Sequence, residues 1–344
     1  MIVFYICIVL LIFYKIRIGD NLEGYLAKEN TNSVKGIFIL IIFLCHINPY
    51  IVRSGYEFDK FGDQLFLQFP TIISQLVVVM FLFFSGYGVR EGIKARGMDY
   101  VKTMPKRRIL VTLLNFDVAV LFFLLLNLLL GIHPPVSKVL LSLVCWEEIG
   151  NSNWYIFAIL ILYIVAYLFY YCFYHKYPKI NGLHFLFTIF VLTLFLSFVR
   201  PDWWYNTMFA FAAGVVFSEK KELFTSYCRD HFYVVFFSLL VLFLVLYHLH
   251  YDYRSLKFNA LSVVFALLIV TIMTRVTINN EVLRWCGEKL FPLYIYQRIP
   301  MLFIEKISGG KEFISTSPEL YSLVCIMVTV LIACTYKYFA IKKI

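Results

Sequence analysis

A histidine lies inside an apolar segment that is long enough to cross a membrane. The segment "KGIFILIIFLCHINPYIV" runs from Lys35 to Val52 and carries His46 well inside it. An ionisable side chain in hydrocarbon costs about 2.5–3.5 kcal/mol or more, and it usually faces a protein interior or a watery cavity where it has a function. Because an imidazole exchanges protons near neutral pH, His46 is a candidate general base.

Three further polar groups are expected at nearly the same depth in the membrane. With a helical rise of about 1.5 Å per residue, His46 lies about 16 Å beyond Lys35. The others lie about 11–12 Å into their own segments: Asp117, Gln297 and Arg298. These groups predict a polar cavity in which Asp117 pairs with Arg298, and in which Asp117 or Gln297 orients the imidazole. The alternative is an ion pair that only holds helices together.

The composition excludes a water-soluble globular protein. The chain has 344 residues, of which 61% are hydrophobic and 15% charged, whereas soluble domains average about 45–50% apolar and about 25% charged residues. The net charge of +10 is typical of Lys and Arg in cytoplasmic loops, so we expect membrane lipid and no nucleic acid as a partner. The eight cysteines form no CxxC pair, and we expect neither a disulfide framework nor a metal site.

Apolar segments predict an all-α, polytopic membrane helical bundle of ten or eleven transmembrane helices. The predicted spans are 2–14, 36–52, 66–89, 109–131, 153–174, 184–199, 203–218, 232–249, 258–274, 290–305 and 320–339. Most Lys and Arg residues fall in the loops on one side, which predicts an N-terminus outside and a C-terminus inside. We divide the chain into an extra membrane helix with its inner loop at 1–34 and a membrane domain at 35–344.

The loop "REGIKARGMDYVKTMPKRR" carries seven basic residues and ends in Lys106, Arg107 and Arg108. Such a cluster either sets the topology of the chain or binds phosphates. At the outer ends of the helices, aromatic residues such as Trp154 and Tyr155 belong to an interfacial belt or stack against sugars.

The order and spacing of several motifs resemble the acyltransferase-3 family of integral membrane acyltransferases, which modify cell-envelope sugars and related hydroxyl acceptors. The family has a basic residue that is followed, after ten intervening residues, by a histidine, and Lys35 and His46 match this spacing. The family's "FFxSGY" stretch matches "FLFFSGYGV", which contains Ser85. The segments "KRRIL", "NSNWYIFAILILY", "MFAFAAGVVFS" and "LRWCGEKLFPLYIYQRIPMLF" follow in the family's order. The likeness covers about residues 35–340.

Three positions depart from the family pattern. Lys35 replaces the more common arginine, which keeps the charge but loses the guanidinium fork. Pro105 stands three residues before Arg108, where the family has an arginine. Gln297 and Arg298 stand where many members have a late histidine.

The resemblance implies transfer of an acyl group, most often acetyl, from cytosolic acyl-CoA to a hydroxyl of a cell-surface polysaccharide or lipid-linked glycan. His46 would be the general base, or in a variant the carrier of the acyl group. Asp117 and Gln297 would support His46. The substrate-binding residues would be Lys35, Ser85, Lys106, Arg107, Arg108, Trp154, Tyr155 and Arg298. The implied location is a bacterial plasma membrane, with acyl-CoA as co-substrate and no tightly bound cofactor.

A carrier is the competing class: a polysaccharide flippase or another transporter would line its substrate path with the same polar groups. The sequence shows no internal repeat and no pair of broken helices, which favours the enzyme. A requirement for an acyl donor distinguishes the two.

Overall fold

The computed structural model describes residues 2–59, 62–173, 181–249 and 256–341. Within these ranges the chain is helical almost throughout, which confirms the predicted all-α membrane bundle. The helices are α1 (Ile2–Phe13), α2 (Lys28–Arg53), α3 (Asp63–Ile73), α4 (Val79–Arg96), α5 (Met98–Met104), α6 (Val111–Leu129), α7 (Val136–Leu143), α8 (Trp154–Phe173), α9 (Gly182–Leu196), α10 (Phe209–His248), α11 (Leu256–Met273), α12 (Glu281–Glu288), α13 (Leu290–Tyr296), α14 (Arg298–Lys306), α15 (Gly310–Thr316) and α16 (Pro318–Thr335).

Seven helical segments of the described ranges are long and apolar enough to cross a membrane. They are Lys28–Arg53, Asp63–Arg96, Met98–Leu129, Trp154–Phe173, Asp202–His248, Leu256–Met273 and Pro318–Tyr338. The predicted spans 2–14 and 184–199 correspond to shorter apolar helices, Val3–Phe13 and Gly182–Leu196. Residue 174, at the end of the predicted span 153–174, lies outside the described residues.

Most of the predicted spans 203–218 and 232–249 falls within one helix, α10, which is interrupted at His231 (φ −130°, ψ 34°). The part of α10 before His231, its first arm, packs along α11 from the start of that helix to its end. The backbone N–H of Phe209 donates to Asn259 Oδ1 at 3.1 Å, and the Arg275 guanidinium donates to the carbonyl of Arg229 at 3.5 Å.

The second arm of α10 returns towards the end where the first arm began. The ring of Phe243 lies 5.8 Å from that of Phe265, in the middle of α11. The hydroxyl of Tyr247 donates to the carbonyl of Ile72, shortly before α4. The two arms therefore run in opposite directions, as two separate spans would.

The predicted span 290–305 is divided between α13 and α14. Pro300 has no N–H to donate to the carbonyl of Tyr296, four residues earlier, so the helical hydrogen-bond ladder is broken there. The buried side chain of Gln297 donates to the carbonyl of Tyr294 at 3.0 Å. Arg298, the first residue of α14, contacts Tyr50 of α2.

Glycines bring two pairs of helices into backbone contact. A Cβ at Gly86 of α4 would collide with the carbonyl oxygen of Phe211 in α10, and a Cβ at Gly214 of α10 would collide with that of Phe83. The same arrangement joins α2 to α12, through Gly36 against Leu283 and Gly287 against Asn32. Small residues permit this close approach of membrane helices.

A short antiparallel ribbon, which the sequence did not predict, connects the N-terminal region to the bundle. The strand β1 (Ile16–Ile18) pairs with β2 (Val276–Ile278), and Ile16 lies opposite Ile278. The side chain of Asn21 donates to the carbonyls of Met273 and Val276, both at 3.1 Å. The region before α2 is thereby attached to the connection between α11 and α12.

We expect Gly86→Ala to destabilise the fold, because the added methyl group overpacks a backbone contact, which typically costs about 1–3 kcal/mol. Gly88→Ala is the matched control, since a Cβ there meets nothing within 4 Å. Thermal unfolding of the purified proteins in detergent measures the difference. Equal midpoints for the two variants would contradict the close contact between α4 and α10.

Candidate active site

His46 lies in the middle of α2 and is held by packing. Its ring centroid is 5.9 Å from the ring of Tyr294 in α13. Its Nδ1 atom is buried and has no hydrogen-bond partner among the described residues. Buried polar atoms are nearly always paired in folded proteins. A ring nitrogen without a partner is therefore available to a substrate hydroxyl.

Arg298 and Tyr50 lie on one side of the imidazole. Tyr50 follows His46 by four residues and so shares its face of α2. The Nε of Arg298 donates to the Tyr50 hydroxyl at 3.4 Å, and the guanidinium is close enough to His46 for its charge to act on the imidazole. Arg53 stacks over the Tyr50 ring at 4.6 Å and forms a 2.8 Å ion pair with Glu305. This chain of contacts fixes the Tyr50 ring and, through it, the Arg298 side chain.

The start of α8 forms the opposite wall. The Ser152 and Tyr294 hydroxyls are hydrogen-bonded at 3.1 Å, and the Tyr155 ring lies 5.2 Å from the Tyr294 ring. The side chain of Asn153 holds the preceding loop by donating to the carbonyls of Cys145 and Glu147. These side chains contact one another around the imidazole, and we call the group the histidine pocket: His46, Tyr50, Ser152, Tyr155, Tyr294 and Arg298.

The predicted pair between Asp117 and Arg298 is wrong for the part of the chain that the structure describes. Arg298 turns to Tyr50, whereas the Oδ1 of Asp117 is buried without a hydrogen-bond partner there. Burial and, to a smaller extent, the charge of Asp117 raise the pKa of the Cys145 thiol, which indicates that the carboxylate lies on the side of Cys145. The two groups share a depth in the membrane but face different neighbours.

Neither proposed supporting residue orients the imidazole by a hydrogen bond. Asp117 lies near Cys145, and the Gln297 amide bonds to the backbone of its own helix at Tyr294. Contact with the Tyr294 ring positions His46 instead. The structure thus corrects the expectation that Asp117 or Gln297 holds the ring.

The basic residues of the predicted phosphate site differ in their surroundings. Lys106 and Arg107 are exposed on a π-helical turn, Pro105–Leu110, which joins α5 to α6. Arg108 is half-buried, with its guanidinium 5.8 Å from the Tyr163 ring centroid. Lys35 is half-buried on α2, where the charges of Lys28 and Glu288 act on it. Lys106 and Arg107 are therefore freer to meet a ligand than Arg108.

The other two predicted substrate-binding residues lie outside the histidine pocket as defined. Ser85 is half-buried beside the Gly86 contact between α4 and α10. Trp154 is also half-buried, with its ring 6.5 Å from that of Tyr155. Of the predicted residues, the pocket brings together His46, Tyr155 and Arg298.

Sequence reasoning missed Tyr50, Tyr294 and Ser152. The first two carry a readable signal, because Tyr50 follows His46 by four residues and Tyr294 precedes Arg298 by four. Such spacing places side chains on one helix face. Ser152 carries no comparable signal, since it lies before the start of α8. Among the described residues, no three His, Cys, Asp or Glu side chains come together to hold a metal ion.

A family model described as an acyltransferase domain matches residues 29–338. The chain belongs to the acyltransferase-3 family. The matched region includes α2 with His46 and the α13–α14 segment with Tyr294 and Arg298. Its apolar helices and its family make it a membrane acyltransferase. No curated protein and no solved structure matches the chain.

Asp117→Asn and Arg298→Gln should change stability independently, because the two side chains contact different groups. We expect the free-energy changes of the single variants to add within about 0.5 kcal/mol in the double variant. Unfolding in detergent provides the measurement. Arg53→Gln with Glu305→Gln is the control, since these partners are 2.8 Å apart and their effects should not add. Recovery in the Asp117–Arg298 double variant would restore the pairing hypothesis.

Proposed function

We propose that this membrane acyltransferase moves an acyl group, most simply acetyl, from cytosolic acyl-CoA to a hydroxyl of a cell-surface polysaccharide or lipid-linked glycan. The single observation that supports it best is the unpartnered Nδ1 of His46 inside a pocket of hydroxyl and guanidinium groups. The excess of basic residues on one side favours an N-terminus outside, and we propose a bacterial plasma membrane from the family resemblance.

In this reaction His46 takes the proton of the acceptor hydroxyl as its oxygen attacks the thioester carbonyl. A C–O bond forms, the C–S bond breaks, and His46 returns the proton to the departing CoA thiolate. Arg298 is half-buried and forms no ion pair with a carboxylate in the described ranges. Its charge therefore supports the negative charge that develops on the carbonyl oxygen.

The donor would lie along α2. Lys35 precedes His46 by eleven residues, about 16 Å at the rise of an α-helix. The extended pantetheine arm of CoA spans such a distance, with phosphates near Lys35 and the thioester at His46. The exposed Lys106 and Arg107 offer further cations on the side where the basic loops lie. Lys and Arg are the residues that phosphates prefer.

His46→Ala should insert and bind acyl-CoA but lose transfer by about 10²–10⁴-fold, the usual contribution of a positioned acid–base group. Lys35→Ala should mainly raise the KM for acyl-CoA, and Lys35→Arg should keep most activity. The assay is transfer of radiolabelled acetyl from acetyl-CoA to candidate glycans by the purified protein. His133→Ala, an exposed histidine, is the control. Near-normal transfer by His46→Ala would show that His46 is not the general base, and no transfer by the unsubstituted protein would favour a carrier with a structural histidine.

Replacing Lys106 and Arg107 together by Gln should raise the KM for acyl-CoA and leave the KM for the acceptor unchanged, because both side chains are exposed cations. Arg108→Gln should instead lower stability, since Arg108 packs over Tyr163. Steady-state kinetics and thermal unfolding separate the two effects. The exposed Lys138, replaced by Gln, controls for net charge. An unchanged KM for acyl-CoA in the double variant would show that the basic loop only sets the topology of the chain in the membrane.

A further inference from the structure

Two tyrosines of α13 lie on opposite sides of that helix. Successive residues of an α-helix are rotated by about 100°, so Tyr294 and Tyr296, two positions apart, lie on nearly opposite faces. Tyr294 faces the histidine pocket, where its ring contacts His46 and Tyr155. Tyr296, which is 1% exposed, therefore lies at the back of α13, behind the pocket.

Aromatic rings from two other parts of the chain enclose the back of α13. The Tyr296 ring centroid lies 5.9 Å from the ring of Phe122 in α6 and 5.9 Å from the ring of Phe339. The ring of Tyr336 lies 6.2 Å away, and Phe339 also contacts Phe122 at 5.6 Å. The Tyr296 hydroxyl is buried and has no hydrogen-bond partner among the described residues. Packing against these rings therefore holds Tyr296 in place.

One side chain of α6 fastens the segment that carries Phe339. Asn115 is 5% exposed, and its Nδ2 donates to the carbonyl of Ile341 at 2.9 Å. The N–H of Ile341 donates in turn to Asn115 Oδ1 at 3.0 Å. Both backbone groups of Ile341 are thus paired, as backbone groups inside a membrane must be. We call residues 339–341, held in this way, the clasp. The clasp lies beyond residue 338, where the match to the family ends.

The position of α13 depends on such contacts. The helix has seven residues, and helices shorter than about 12 residues are marginal unless tertiary packing holds them. The segment that follows adds little support, because Pro300 has no N–H to continue the hydrogen-bond ladder. Tyr294 and Tyr296 belong to the same helical turn, so a shift of one moves the other.

We propose that the clasp positions the histidine pocket from behind. Phe339 packs against Tyr296, and α13 thereby holds Tyr294 against the imidazole. The clasp and Asn115 position these groups but belong to neither the pocket nor the donor site. The proposal rests on the proposed function, because the place of Tyr294 affects transfer only if His46 is the base. A displacement of about 1 Å near the reacting groups costs up to about 100-fold in rate.

Removal of residues 339–344 tests the clasp, and removal of 342–344 is the matched control because it leaves Phe339 and Ile341 in place. We expect the first variant to lose about tenfold or more in kcat for acetyl transfer. Its KM for acetyl-CoA should not change, since the residues proposed to bind the donor are intact. The control should keep both constants. The kinetics are measured well below the unfolding midpoint of each protein.

Two results of this experiment would overturn the proposal. An unchanged kcat in the variant without residues 339–344, even with a lower unfolding midpoint, would show that the clasp only stabilises the fold. Equal losses of kcat after removal of 339–344 and of 342–344 would show that the clasp is not the segment responsible.

Point variants decide the question if the shortened chain does not fold. Phe339→Ala should lower kcat, and Phe339→Tyr, which keeps the ring, should restore most of it. Asn115→Leu removes both hydrogen bonds to Ile341 and should lower kcat as well. Equal kcat values in the alanine and tyrosine variants would contradict the role of the Phe339 ring.

Hydrogen–deuterium exchange separates this inference from the proposed function. Without residues 339–344, the amides of α13 should exchange about tenfold faster or more, because local opening is easier where packing is lost. The amides of α11 are the control and should not change. Faster exchange in α13 of a protein that transfers nothing from acetyl-CoA would refute the proposed function and leave the support of α13 by the clasp standing. Unchanged exchange in α13 of a protein that does transfer acetyl would refute the clasp and leave the proposed function standing.

Discussion

The backbone contact between α2 and α12 is the constraint on which the candidate active site depends. Gly36 and Gly287 each lie against the main chain of the other helix, where no side chain would fit. This contact fixes the rotation and the height of α2 relative to the segment that continues into α13 and α14. His46 therefore meets Tyr294, and Tyr50 meets Arg298. A helix pair held only by side chains would tolerate more sliding and would position these groups less well.

The pocket keeps polar groups in hydrocarbon without pairing all of them. Within the described part of the chain, the His46 Nδ1 atom has no hydrogen-bond partner and Arg298 meets a tyrosine hydroxyl but no carboxylate. Unpaired buried groups are destabilising and concentrate at functional sites. By contrast, Arg53 and Glu305 form a direct pair. That pair stabilises the end of the site at which Tyr50 lies.

The sequence predicted the fold class, because the length of apolar segments is a one-dimensional signal. The choice of His46 as an ionisable group in hydrocarbon stays a prediction. The sequence did not predict which neighbours a side chain faces, because that depends on the rotation of each helix about its axis. Asp117 and Arg298 share a depth, but Asp117 lies near Cys145 and Arg298 faces Tyr50. The break after Tyr296 follows from Pro300, which leaves the apolar pattern of the predicted span 290–305 unchanged.

Chemical rescue of His46→Ala by free imidazole tests most directly the claim that the His46 ring nitrogen acts as a base. Acyl transfer to a glycan acceptor is followed as the imidazole concentration rises. The account predicts that imidazole restores part of the lost transfer in His46→Ala and does not restore the loss in Arg298→Gln. A His46→Ala protein that transfers as fast as the unsubstituted protein, with or without imidazole, would contradict it.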